Sequence, residues 1–179
     1  HQGGYSVLRE AALRIQKCVR ETDTVSRLSG DEFGVVLTNI KSYNDAALVA
    51  DEILIAMQQN YQLKDVSVFC GASIGISFYP DDSTDSEGLL RKADQAMYEV
   101  KEKGRNGWQF YTKEMQEKSE YRHELLNELT DAVNNNLLTA YFQPIMDLNE
   151  NKLTKCESLV RWQKGNGQFV SPVEFIGLA

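Results

Sequence analysis

An α/β fold, helices packed on a sheet, is predicted for residues 1–112 by three observations. Stretches with apolar residues at three-to-four spacing alternate with short β-prone runs, the pattern of helices laid on a sheet. The first two short runs are separated by "SGDE", whose composition is that of a tight turn. The run "VSVFCGASIGISF", Val66 to Phe78, is too continuously apolar and small to have a solvated face, and reads as a buried strand in the middle of a sheet.

Taken in order, Leu8, Ala12, Ile15 and Val19 form one stripe of a helix from Ser6 to Arg20, with Ser6 as N-cap. Val25–Leu28 and Phe33–Leu37 form a β-hairpin with Asp31 and Glu32 at its tip. Ser42 with Asp45 has capping-box spacing and opens a helix through Gln59, whose stripe is Ala46, Val49, Ile53 and Met57. Thr84 with Glu87 caps a third helix, with Leu89, Ala93, Ala96, Met97 and Val100 inward and Gly104 as its stop. Trp108 to Tyr111 is a further strand. Composition then turns polar, and residues 113–136 read as a helical linker with a narrow stripe of Leu125, Leu129 and Val133, closed by three asparagines. Residues 137–179 begin a second domain: strands at Tyr141–Asp147 and Lys155–Arg161, then a helix opened by Ser171 and Glu174.

Composition excludes several classes. With 42% hydrophobic and 25% charged residues the chain is neither disordered nor fibrous. No apolar run reaches the roughly 20 residues of a membrane span, so no membrane segment is expected in it. Its net charge of −7 argues against a nucleic-acid polymer as partner. Cys18, Cys70 and Cys156 are far apart and odd in number, which points to neither a zinc site nor a disulfide framework and places the chain in a reducing cytoplasm, with an upstream membrane anchor in the parent left open. It begins at His1 and ends within an apolar helical pattern, and is expected to be cut at both ends.

Four motifs, "RLSGDEF", "ASIGIS", "ADQAMYEVKEKGRN" and "FYTKEM", together resemble the GGDEF family of diguanylate cyclases. The later "YFQPIMDL", "ESLVRW" and "SPVEFIGLA" resemble the start of an EAL domain, the cyclic di-GMP phosphodiesterase family. The resemblance implies a nucleotidyl-cyclase-like central sheet, mainly antiparallel and flanked by helices, lacking its N-terminal strand here, and then the beginning of a (β/α)8 barrel. It implies a GGDEF–EAL hybrid that handles GTP and cyclic di-GMP, uses Mg2+ or Mn2+, and works as a homodimer.

Residue by residue, the resemblance makes Asp31 the metal ligand of the cyclase site and Glu32 its catalytic partner, with Gly30 allowing the backbone to approach the phosphates. The chemistry suits those residues, since a hard divalent cation prefers carboxylate oxygens and neutralises charge during phosphoryl transfer. Two acids in any turn are, on their own, more often a solvated tip. Lys101 and Arg105 would reach the phosphates, although cations at a helix C-terminus also favour its dipole without a ligand. Arg20 and Asp23 match the RxxD inhibitory site for cyclic di-GMP, and a surface ion pair is the bland alternative. In the EAL part Glu157 would be a metal ligand, with Arg161 and Gln143 contacting the nucleotide. His123 reads as a solvated residue, and the glycines of "CGASIGIS" as close helix-on-sheet packing.

Two departures bear on activity. Ser29 replaces the first glycine of the signature, adding a Cβ and a hydroxyl where a positive φ or close backbone approach is served by glycine. Tyr5 stands where the pattern has an aspartate that reads the guanine edge. By resemblance another metal-binding aspartate and a guanine-reading asparagine would precede His1, and further ligands and the general base of the barrel would follow the chain. The 179 residues alone are therefore expected to be inactive. Two readings of the parent stay open: a cyclase, a phosphodiesterase or both, or a catalytically inactive GGDEF module that senses GTP or cyclic di-GMP and regulates the EAL half.

Overall fold

The computed structural model describes residues 2–63 and 66–178. It divides into two compact units, His1–Gln116 and Glu117–Ala179.

In the first unit, α1 (Gln2–Lys17) leads into the antiparallel hairpin of β1 (Thr24–Ser29) and β2 (Glu32–Val36). Then come α2 (Tyr43–Met57) and a short antiparallel pair, β3 (Tyr61–Leu63) with β4 (Val66–Val68). Finally β5 (Ser73–Ile76) and β6 (Gly107–Phe110) pair in parallel through α3 (Ser86–Glu102), a βαβ crossover. The main core is built between α1, α2 and the strands. Ala11 and Ile15 of α1 meet Ile53 and Met57 of α2 and the fully buried Tyr61, with Val25, Phe33, Val35 and Ile74 beneath. Arg14 ties the two helices at this seam. Its guanidinium donates to the carbonyls of Ala56, Gln59 and Asn60 at the end of α2, at 3.0, 2.6 and 2.8 Å. It also lies 3.8 Å from the Tyr61 ring centroid.

The other face of β5 carries α3. Side chains alternate along a strand, so Ile74 faces the main core while Gly75 faces the helix. A Cβ at Gly75 would lie 1.8 Å from the Ala93 carbonyl oxygen and 2.4 Å from the Met97 nitrogen. The packing expected of this glycine is what the structure has. Ser77 Oγ adds a 2.9 Å hydrogen bond to the Leu89 carbonyl, fixing where α3 begins its descent over the sheet.

The second unit is a small α/β layer. The long hairpin of β7 (Leu138–Asp147) and β8 (Lys152–Gln163) continues into β9 (Phe169–Val170) and the short α5 (Pro172–Phe175). Its core brings Leu125, Leu129 and Ala132 of α4 (Lys113–Asn134) against Trp162, Val170 and Phe175. Trp162 is 2% exposed and meets Phe175 edge to face at 5.5 Å. Tyr121 donates to Glu174 at 2.9 Å, and Lys164 pairs with Glu128.

Several expectations are corrected. Ser6 lies inside α1, because the helix already runs from Gln2. Val19 falls beyond the last helical residue, Lys17. The third helix is capped by Asp85, whose carboxylate accepts the Gly88 N–H at 2.7 Å, and not by Thr84. The run Val66–Phe78 is two strands in separate hydrogen-bonded pairs, broken around Cys70 and Gly71, and not one continuous buried strand. The β5–β6 pair is parallel, while the β1–β2 and β3–β4 pairs are antiparallel, so strand pairing in the first unit is mainly antiparallel, as expected. On α4 it is Ala132 that is buried, while Val133 is 56% exposed. Among the described residues no helix is long and apolar enough to cross a membrane.

Because the atoms that a Cβ at position 75 would strike are helix backbone, no rotamer change can relieve the clash. Gly75→Ala is expected to destabilise the first unit by about 3 kcal/mol or more, at the upper end of overpacking costs. Urea denaturation monitored by Trp108 fluorescence checks this. A midpoint unchanged from the parent sequence would show that α3 does not rest on Gly75.

Candidate functional site

The hairpin tip is shaped by a one-residue irregularity. Arg27 pairs with Phe33 and Ser29 with Glu32, which leaves Leu28 extra on the first strand and turns the tip. The left-handed backbone that this turn needs falls on Gly30, at φ +41°. Ser29 is not among the residues of positive φ, so a side chain there meets no backbone penalty. Arg27 closes the turn from beneath, its Nε and Nη2 donating to the Gly30 carbonyl at 2.9 and 2.6 Å. The Ser29 hydroxyl donates to Glu32 Oε2 at 2.9 Å. Asp31 and Glu32 are both exposed.

Between α1 and the hairpin runs an open groove of about 270 Å³, lined on the helix by Tyr5, Leu8, Arg9, Ala12 and Gln16, and on the strands by Val25, Ser26, Arg27 and Phe33. Its lining holds two arginines and no carboxylate. Arg9 and Arg27 were not singled out from the sequence. Arg27 could have been, as the residue that opens "RLSGDEF" on a strand aimed at the turn. Asp31, Glu32, Lys101 and Arg105 are not among the lining residues.

A metal at the tip would have limited protein support. Among the described residues no three His, Cys, Asp or Glu side chains come together to hold an ion. Two adjacent, exposed carboxylates do suit Mg2+ or Mn2+ that keeps water and takes its remaining ligands from phosphate oxygens. They do not suit a closed structural zinc site.

Lys101 lies in the last turn of α3, and Arg105 follows at φ +63°, its N–H donating to the Val100 carbonyl at 2.9 Å to close the helix end. Both side chains are exposed. The Arg20–Asp23 pair is organised otherwise than as a simple surface ion pair. Asp23 accepts the backbone N–H of Thr38 at 2.9 Å and that of Arg20 at 3.0 Å, which pins the loop after α1 to the end of the hairpin. The Thr38 N–H first, and the Arg20 N–H after it, hold the Asp23 carboxyl below the usual carboxylate range.

In the second unit, register brings the predicted residues to one face. Gln143 sits directly opposite Glu157, and Thr139 opposite Arg161. Residues two apart on a strand share a face, so Gln143, Glu157 and Arg161 line the same side of the hairpin. Arg161 lies 5.7 Å from the ring centroid of Tyr141, which shares that side. Trp162 and Val160, on the opposite side, meet the helix core.

Comparison with known proteins agrees with this architecture. The family model of the diguanylate cyclase GGDEF domain matches residues 1–107, and that of the EAL domain matches residues 126–179. Over its whole length the chain is 35% identical to MucR of Pseudomonas aeruginosa, named a bifunctional diguanylate cyclase/cyclic di-GMP phosphodiesterase, and covers 26% of it. It is 31% identical, again over 100% of its length, to the cyclic di-GMP phosphodiesterase PdeR of Escherichia coli, covering 27% of that protein. The chain therefore spans roughly a quarter of these relatives. Among solved structures, a fragment of TpbB from Pseudomonas aeruginosa comprising only the GGDEF domain superposes with a TM-score of 0.65 at 36% identity, over 67% of this chain and 70% of that one.

The Asp23 geometry carries a pH signature. A carboxyl whose folded pKa is lowered contributes stability above its unfolded value and loses it as pH falls through the folded one. Asp23→Ala is expected to lower stability at pH 7 by up to about 1 kcal/mol, mainly through the part-buried Thr38 N–H, since water replaces the partner of the exposed Arg20 N–H. The difference from the parent sequence should shrink as pH drops below about 3.9. Paired denaturation curves at neutral and acid pH check it, and an equal difference at both would mean the carboxylate is not what holds the loop.

Proposed function

The chain belongs to the GGDEF family of diguanylate cyclases and continues into an EAL domain, and from that premise we propose that it is part of a cyclic di-GMP signalling protein of the GGDEF–EAL hybrid type. Residues 1–112 are read as the GGDEF domain, 113–136 as the connecting helix and 137–179 as the start of the EAL domain. In the first domain the hairpin tip serves guanine nucleotide phosphates carried with Mg2+ or Mn2+.

The observation that carries this reading is the intact tip: the positive φ falls on Gly30 and leaves Asp31 exposed at the turn. Asp31 takes the cation, Glu32 is its neighbour, and Lys101 and Arg105 attract the phosphates from the end of α3. The bound ion would supply charge neutralisation at the phosphorus under attack. Asp23 shapes the RxxD loop through backbone contacts, which leaves Arg20 to engage the phosphates or guanine edges of cyclic di-GMP. In the second domain Glu157 is a metal ligand, with Gln143 and Arg161 on the nucleotide side of the hairpin. Two GTP molecules condense across a homodimer in this reading.

A second reading is favoured by one observation, the groove that Tyr5 lines without any carboxylate. Guanine presents two N–H donors on its pairing edge, and neither a phenol ring nor an arginine pairs with both. On this reading the GGDEF half binds nucleotide without turning it over and regulates the EAL half.

Product analysis of the intact parent with Mg2+ and GTP separates the two. Cyclic di-GMP as product is expected if Tyr5 is tolerated. Bound GTP with no product assigns the domain a regulatory role, and no binding of either nucleotide removes both readings.

A further inference from the structure

The two adjacent acids of the hairpin are held differently. Glu32 accepts the Ser29 hydroxyl at 2.9 Å, within the residue pair that closes the β1–β2 ladder. Asp31 has no hydrogen-bond or ion-pair partner among the described residues. The backbone beneath is braced independently, because Arg27 donates twice to the Gly30 carbonyl. Removing the Ser29 side chain therefore changes what holds Glu32 and leaves the turn's own brace in place.

The geometry points to Ser29 as a positioning residue: its hydroxyl holds the Glu32 carboxylate at the base of the turn and keeps it from sharing the divalent cation assigned to Asp31. This rests on the reading of the hairpin as a metal and phosphate site. A carboxylate that accepts an O–H has one oxygen committed and its rotation restricted, and must break a charge-assisted hydrogen bond before swinging to a cation. Asp31 meets no such cost. A glycine at position 29 has no hydroxyl and leaves Glu32 unheld, so serine here is a substitution with a distinct chemical consequence. It is not merely a loss of backbone freedom, since the positive φ belongs to Gly30.

The test is NMR on the full chain with Ser29, Ser29→Ala, Ser29→Gly and Ser29→Thr. Side-chain couplings of Glu32 report its rotamers, and sub-stoichiometric Mn2+ with a non-hydrolysable GTP analogue reports which carboxyl lies near the ion. Ser29 and Ser29→Thr are expected to give a single Glu32 rotamer and several-fold stronger broadening of Asp31 than of Glu32. Ser29→Ala and Ser29→Gly should give averaged Glu32 couplings and stronger broadening of Glu32 than Ser29 gives. Averaged couplings with Ser29 itself, or a Ser29→Ala chain that matches it, would overturn the positioning role. Absence of Mn2+ broadening on either acid would instead overturn the metal reading of the hairpin, while the couplings still decide whether Ser29 holds Glu32.

Discussion

The close approach of α3 to β5 at Gly75 is the constraint on which the rest of the first unit depends. Backbone atoms of Ala93 and Met97 occupy the space a side chain would need. That contact lets the helix lie flat over a parallel pair of strands, and the strand's opposite face is then free to meet α1 and α2 through Ile74. The end of α3, where Lys101 and Arg105 emerge, is placed by the same contact. Gly88, Ala96 and Val100 are the buried positions of the helix, and all three are small or β-branched, as a close crossing requires.

The second layer of organisation is electrostatic and local. Several charged groups shape backbone: Arg27 holds the Gly30 carbonyl and Asp23 two N–H groups around the hairpin, and Arg14 holds the carbonyls that end α2. Charged partners make such hydrogen bonds stronger than neutral ones, and they persist at partly exposed positions where plain ion pairs contribute little. What remains uncommitted at the tip is Asp31. A turn that is braced by its neighbours and leaves one carboxylate free is suited to a ligand that brings its own oxygens.

Much of this was legible in the sequence. The hairpin was readable because "SGDE" separates two β-prone runs, and α2 because Asp45 sits three residues after Ser42 and accepts its N–H at 3.1 Å. The Gly75 packing followed from a glycine in an apolar run with no following Lys-Ser/Thr. Misreadings arose where tertiary context decides. Apolar periodicity cannot say that Val66–Phe78 changes partners midway, since both halves are equally β-prone. Nor could it choose between Ala132 and Val133, neighbours on α4 that differ by a rotation the Trp162 contact sets. The resemblance to the two families pointed to Asp31 and Glu32 in the first unit and to Gln143, Glu157 and Arg161 in the second, and register then placed the last three on one face. The groove between α1 and the hairpin was invisible, because it depends on how the helix lies against the strands, which periodicity does not specify.

The central claim is that the hairpin is a nucleotide–metal site built around Asp31. The most direct measurement is the affinity of the intact parent for Mg2+–GTP with Asp31 and with Asp31→Asn, a change that keeps shape and removes charge. The account predicts about a tenfold or greater loss, the scale of a charge-assisted contact. Equal affinity in the two proteins would contradict it and return the two acids to the role of a solvated turn.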